Sequence, residues 1–502
     1  MAEAESRDSY TSILKYTGLF GGVQGLGILM GIVRNKLVAV ILGPDGMGLI
    51  SLFNSTIKLV SDSTQLGLPM SAVKSVSEAE AAGQHEATAH TVAVIRTWTL
   101  LTSLAGMVLC ILLSPLLNKW TFSWGNHTLH FVMLSPVVLL TGITAGETAV
   151  LKGARQLRHL AAISLYGVAA ALLSSAPLYW LWGQKAIVPS LVLMALMQAV
   201  ITVAYSYRLF PLRAADIKTT ARESMPMVRL GTAFMAAGIL GSGAEFLIRS
   251  FLNNAGDLQA VGLYNAGYMM TMTYAGLVFQ AMETDYFPRL SAEKSLGTEF
   301  NNTVNRQIEV TLLLIAPLLA VFITALPVLL PALYSGRFTP AADMMRLTIP
   351  AMLLRAITLP IEYIPLARGD SKSYLLLETI YDVMIALLVP AGFRWLGLTG
   401  TGAALATAAV VNTVVVTVYA RYKYGFTLSA DVAKAMAAEL PLGVMAAVIT
   451  MTATGWTYWL PATAVCAVIT VLSLKVLHSK THLWNKMTQR LRTKINYRKG
   501  KK

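Results

Sequence analysis

The chain has 502 residues, of which 55% are hydrophobic and only 13% charged, with a formal net charge of +15. A soluble domain carries about 25% charged residues, so this chain is too poor in solubilising surface to be a water-soluble globule. Its apolar runs reach the length of roughly 20 residues that an α-helix needs to cross hydrocarbon, and they are continuous rather than alternating, which excludes a β-barrel.

The first residues, Met1 to Asp8, are polar and acidic, without the basic segment and cleavage site of a signal peptide. Fourteen spans are then predicted, at 13–42, 46–70, 92–116, 130–151, 160–182, 186–208, 230–253, 259–286, 308–334, 341–366, 373–394, 398–421, 434–454 and 456–478. The fold class expected is all-α, a polytopic membrane helical bundle. Alternate connections are basic, with Lys152, Arg155 and Arg158, then Arg208, Arg213, Lys218, Arg222 and Arg229. Arg289, Lys294, Arg306, Arg368, Lys372, Arg421 and Lys423 continue the series. The opposite connections hold only Lys119, Lys185, Arg337 and Arg394. Basic loops stay in the cytoplasm, so both termini are expected there, in a bacterial inner membrane. The tail, 479–502, has nine Lys/Arg and no acidic residue. Such a tail suits an anionic lipid surface and, with the basic residues confined to loops, argues against nucleic acid.

The two halves repeat weakly. Arg34 matches Arg249, Gly48 matches Gly262, Gly153 matches Gly369 and Arg208 matches Arg421, all at spacings of 213 to 216 residues. The expected organisation is a six-helix half at 1–228, a second at 229–428, two extra helices at 429–478 and the tail. Six spans per repeat give both halves the same orientation, a known transporter arrangement with the site between them.

Ionisable residues at membrane depth are expensive and mark function by default. Arg34 and Arg249 occupy matching places, and paired guanidiniums suit a phosphate or diphosphate by charge and bidentate geometry. The competing reading is a packing pair with a nearby carboxylate, such as Glu245, four residues before Arg249. The second span carries Asn54, Lys58, Asp62 and Gln65 at helical spacing on one face. That stripe faces an aqueous cavity or another helix, and Lys58 and Asp62 can neutralise each other. Arg355 lies mid-span with Glu362 seven residues on. Glu378 and Asp382 form an acidic pair that suits either a proton or sodium site or a solvated face. Diphosphate contacts are thus expected from Arg34, Arg249, Lys58 and Arg355. Polar cavity or coupling roles fall to Asn54, Asp62, Gln65 and Glu245. No nucleotide loop, Ser-His-Asp set or metal spacing is found. Cys110 and Cys466 lie inside apolar runs, and the pairs His85/His90, His127/His130 and His478/His482 read as solvated surface. No catalytic residue, cofactor or metal is expected.

The stretch Leu42-Gly-Pro-Asp-Gly-Met-Gly-Leu, with Leu66-Gly-Leu-Pro after it, resembles the polysaccharide-biosynthesis branch of the multidrug/oligosaccharidyl-lipid/polysaccharide exporter superfamily. Ala149-Val-Leu-Lys-Gly-Ala-Arg-Gln, Ala260-Val-Gly-Leu-Tyr-Asn-Ala and Tyr286-Phe-Pro-Arg-Leu-Ser-Ala carry the likeness through both halves. It is strongest to O-antigen translocases and the flippases of enterobacterial common antigen. The resemblance implies a V-shaped twelve-helix core that flips an oligosaccharide on undecaprenyl diphosphate from the cytoplasmic to the periplasmic leaflet, in surface-polysaccharide or lipopolysaccharide biosynthesis. It also implies a basic central cavity, with Arg34 at the expected place; the last two spans resemble those of peptidoglycan lipid flippases. Glycan polymerases are possible partners, with the bilayer itself. The alternatives are a cation-coupled multidrug exporter of the same superfamily, a membrane scaffold for glycan synthesis, and a membrane glycosyltransferase, for which the loops are too short.

Overall fold

In the computed structural model, the structure describes residues 2–82, 85–212, 225–274, 276–293 and 295–481. These residues are helical almost throughout, as the composition requires: in hydrocarbon only a helix satisfies its own backbone groups. In order they form α1 (Ala2–Thr64), α2 (Leu68–Ala81), α3 (His85–Thr121), α4 (Thr128–Gly153), α5 (Leu157–Trp182), α6 (Ile187–Leu209), α7 (Met225–Ala255) and α8 (Leu258–Tyr268). A π-helical turn, Met269–Tyr274, leads into α9 (Gly276–Ala292), α10 (Thr298–Thr324), α11 (Leu326–Leu333), α12 (Ala341–Ala367), α13 (Ser371–Tyr424), α14 (Ala430–Thr452) and α15 (Trp456–Thr481).

Ten helical stretches among the described residues are long and apolar enough to cross a membrane. Three of them hold two spans each. α1 breaks at Gly43, whose φ of 68° and ψ of −170° are open to glycine, with Pro44 beginning the next segment. α13 breaks at Leu396 and Gly397, and the stretch 157–209 turns through Gly183–Ala186. With the α8–α9 stretch added, the architecture is the polytopic helical bundle of about fourteen spans that the sequence predicts. The expected tail falls largely outside the described residues, as do Arg213, Lys218, Arg222 and Lys294.

The chain divides into two compact units, residues 1–265 with 331–337, and residues 266–330 with 338–502. In the first, α1 packs on α5 and α7, α3 on α4, and α4 on α6. The N-terminal turns of α8 cross α1 so closely that a Cβ on Gly262 would lie 1.9 Å from the Pro44 carbonyl oxygen, and one on Gly48 2.1 Å from that of Leu258. Ser51 donates to Asn265 Oδ1 at 3.0 Å in the same crossing. In the second unit, α10 is central and packs on α12, α14 and α15, while α12 packs on α13. Its buried face, Phe300, Val304, Ile308, Leu312, Ile315 and Leu319, repeats at helical spacing. The two C-terminal helices are joined by Ser473, which donates to Glu439 Oε1 at 2.9 Å, and Tyr458 fixes α15 to α10 by donating to the Thr324 carbonyl at 2.9 Å.

Candidate functional site

Seven of the eight residues singled out from the sequence fall in the first unit. Arg249, on α7, is 8% exposed. Its Nε donates to Ser51 Oγ at 2.8 Å, and its Nη1 lies 3.3 Å from Glu245 Oε2 one helical turn earlier. The other oxygen of Glu245 accepts from Lys58 Nζ at 3.0 Å. One carboxylate thus bridges two cations from two helices, and the triad keeps one positive charge in excess. Lys58 takes Glu245 as its close partner rather than Asp62, because α7 brings Glu245 across from the neighbouring helix. The side chain of Lys58 remains 51% exposed, and Asn54, one turn away, is exposed as well. Asp62 is half-buried against Gly238 of α7, and the Gln65 amide turns toward Gly142 of α4. The polar stripe therefore divides into an open part, Asn54 and Lys58, and a part packed between helices.

Arg34 is placed differently. It sits before the Gly43 break, half-buried, with Nη2 donating to Met194 Sδ at 3.1 Å. Its Nε is buried without a hydrogen-bond partner. Its charge reaches the fully buried Tyr179, whose phenol oxygen accepts from Ser190 at 2.6 Å. Among the described residues Arg34 makes no ion pair. A sheltered guanidinium whose partners are a thioether and a neutral phenol, with Nε left unbonded, has no counter-charge among the described residues, and an anionic ligand would supply one. An apolar cavity of about 470 Å³ lies beside the triad, lined by Leu59, Gly243, Phe246, Leu247 and Ser250 among others. Charge and apolar surface thus adjoin within this unit, as an amphiphilic ligand requires.

Arg355 belongs to the second unit, where it is surrounded electrostatically by Glu362, Tyr381, Tyr268 and Glu378. Asn412 donates to Glu362 Oε1 at 2.9 Å. Glu378 and Asp382 are half-buried and face this cluster, so they are not a plain solvated surface. Arg355 is thus held among carboxylates, which makes it a poorer anion contact than Arg34 and gives the cluster the character of a cation or proton site.

The sequence profile of a family described as "Polysaccharide biosynthesis protein" matches residues 37–343, well over half of the chain. The chain belongs to that family. Stage V sporulation protein B of Bacillus subtilis (strain 168) is 28% identical over 134 residues, 26% of each protein. The chain therefore spans about a quarter of the length of that curated relative. Among solved structures, the lipid II flippase MurJ in an inward closed conformation superposes with a TM-score of 0.73 at 13% identity, over 92% of this chain and 99% of that one. An inward-facing multidrug resistance MATE family transporter of the MOP superfamily gives 0.65 at 13% identity, over 80% and 94%. A MOP superfamily transporter from Pyrococcus furiosus with a binding pocket of reversed polarity gives 0.59 at 13% identity, over 80% and 93%. The resemblance read from the motifs is borne out: this polysaccharide-biosynthesis family member has the MOP superfamily fold, and its structural neighbours are transporters and flippases.

One polar centre of this family member was not singled out from its sequence. Arg96 of α3 grips Glu147 of α4 with both arms, Nε to Oε1 at 2.9 Å and Nη2 to Oε2 at 3.1 Å. Ser206 donates to Glu147 Oε2 at 2.6 Å, Arg96 Nη1 donates to the Phe210 carbonyl at 2.8 Å, and the guanidinium stacks 4.0 Å from the Tyr207 ring centre. Both charges lie inside predicted spans. The rule that selected Arg34 applied to them as well.

Proposed function

We propose that the chain is a flippase that carries an undecaprenyl-diphosphate-linked oligosaccharide from the cytoplasmic to the periplasmic leaflet of a bacterial inner membrane by alternating access. The observation that carries this reading is Arg34: a sheltered guanidinium without a carboxylate, in a unit whose remaining triad is also net positive. A diphosphate would take the place of the missing anion through charge-assisted hydrogen bonds, and the apolar cavity beside the Lys58–Glu245–Arg249 triad suits part of a lipid. Family membership supports a saccharide cargo, and the likeness to MurJ, a lipid II flippase by its own description, supports a lipid-linked one. In this reading Lys58, Asn54 and Arg249 complete the headgroup cavity, while Asp62 and Gln65 are packed between the helices behind it. Glu245 holds Lys58 and Arg249 in place. Coupling to an ion gradient falls to the Glu362–Glu378–Asp382 cluster around Arg355, because Glu245 is already engaged by two cations.

Reconstituted protein in liposomes loaded with a fluorescent undecaprenyl-diphosphate saccharide tests the proposal. Protection of the label from a membrane-impermeant quencher should change only in vesicles that contain the protein. Absence of that change, together with export of cationic dyes, would replace the flippase reading by the multidrug-exporter one.

A further inference from the structure

The segment of α1 after the Gly43 break runs antiparallel to α7. Ser51 meets Arg249, Lys58 meets Glu245, Leu59 lies by Gly243 and Asp62 by Gly238, so one set of numbers rises as the other falls. The pairing ends at the turn between α1 and α2. There a Cβ on Gly67 would lie 2.0 Å from the Gly231 carbonyl oxygen, and one on Gly231 2.2 Å from that of Leu66. We propose that this contact is a gate at one end of the Lys58–Glu245–Arg249 site, shut by backbone against backbone and primed to part by strain stored in the turn. A gate of this kind belongs to the alternating access proposed above, whatever the cargo.

The strain sits at Leu66. Its φ of 50° is left-handed, a region that the Cβ of an L-residue disfavours. Gly67 follows at a φ of 61°, where glycine meets no such obstacle. The one glycine of the turn thus occupies the close approach to α7 and leaves the other left-handed position to leucine. Strain of this kind persists only where the surroundings over-determine the backbone. Here they do: Leu66 packs against a buried apolar cluster that joins Leu68 and Val76 of α2, Ile95 of α3 and Val150 of α4 to Met227 in the first turn of α7. The turn is closed by the Leu68 amide, which donates to the Gln65 carbonyl at 3.0 Å, and by the Ser71 amide, which donates to the Gly67 carbonyl at 3.3 Å. Withdrawal of α7 removes Gly231 and Met227 together, and with them the packing that holds Leu66 in its costly conformation.

The opposite end of the same α1 segment is also closed by glycine, in the crossing of Gly48 with Gly262. Two backbone contacts therefore bracket Asn54, Lys58 and their partners on α7. They differ in what holds them. The left-handed residue at the Gly48 end is Gly43 itself, so that end stores no comparable strain. The asymmetry makes the Leu66–Gly67 end the one that parts more readily.

The test is the rate at which a charged, membrane-impermeant methanethiosulfonate modifies Asn54→Cys, an exposed position between the two crossings, in the full-length protein with Cys110 and Cys466 replaced by alanine. Vesicles of both orientations are used, and Lys74→Cys, exposed on α2, marks the face on which the gate lies. Gly231→Val should speed modification by about tenfold or more from that face alone, because its side chain runs into the Leu66 carbonyl. Leu66→Gly should slow it about fivefold from the same face, the lower end of the left-handed penalty expressed as an equilibrium ratio. Equal acceleration from both faces would make Gly231 a packing position and overturn the gate. So would a rate unchanged or raised by Leu66→Gly, a variant that adds no atoms and stays informative where Gly231→Val does not fold. No cargo is present in this measurement, so a failed gate leaves the flippase reading standing, and a failed flippase reading leaves the gate.

Discussion

Arg96 and Glu147 are 9% and 4% exposed at their side chains, so neither charge has water to fall back on. Breaking a buried pair by removing one partner leaves an uncompensated charge at a cost of about 3–5 kcal/mol. Glu147→Gln should therefore lower the unfolding temperature of the purified protein markedly, and Arg96→Met combined with Glu147→Leu should recover much of the loss. A double variant as unstable as the single one would show that packing, not charge, sets the cost. His127 supplies a pH-dependent counterpart outside the spans. Burial pushes its imidazole below the usual range, and the charge of His130, whose Nδ1 lies 3.1 Å from its own, adds to the effect. His127 packs against Phe122 and Trp124, and His130 against Phe53, rather than standing in solvent as the sequence suggested. Because the folded-state value is depressed, the corner keeps its full stability above about pH 6.5 and loses it as pH falls into the depressed range. The unfolding temperature should thus drop between pH 7.5 and pH 5.5 by more in the wild type than in His127→Gln; equal drops would remove His127 as the cause.

At the scale of elements, the Gly43–Pro44 break and the crossing beside it were the most legible features. The sequence placed a gap between two spans there, and the glycine conformation supplies the reason. The repeat was legible only as a faint spacing. Gly48 and Gly262, matched as equivalent positions, meet each other in the crossing of α1 and α8, and Ser51 bonds Asn265 at the same offset. A methyl group at Gly262 would run into the Pro44 carbonyl, so Gly262→Ala should push the helices apart at a cost of about 1–3 kcal/mol. Thermal unfolding checks this; an unchanged transition would mean that the crossing is not tight. Other features were not legible. The π-helical turn at Met269–Tyr274 has no composition signature, and the pairing of Lys58 with Glu245 depends on how α7 is placed, which a helical wheel of one span does not contain. Arg96 and Glu147 were visible as charges inside apolar runs, but their mutual partnership spans 51 residues and only the packing of α3 on α4 reveals it.

For the whole molecule, composition and loop charge sufficed for a polytopic bundle, and the motif order for the family. The proposed cargo rests on a thinner signal, which cations are left without carboxylates. Arg249, matched to Arg34 by the repeat, is tied to Glu245 and Ser51, whereas Arg34 is not. The two positions should therefore behave unequally: Arg34→Ala should fold with near-wild-type stability, while Arg249→Ala should also lose stability through the freed Glu245. The central claim, that Arg34 receives the diphosphate, is met most directly by measuring flipping of the undecaprenyl-diphosphate saccharide in proteoliposomes with wild type, Arg34→Lys and Arg34→Ala side by side. The account predicts that Arg34→Ala lowers the flipping rate by about tenfold or more, the worth of one lost charge-assisted contact, with Arg34→Lys between it and wild type. Wild-type flipping by a correctly folded Arg34→Ala protein would contradict it.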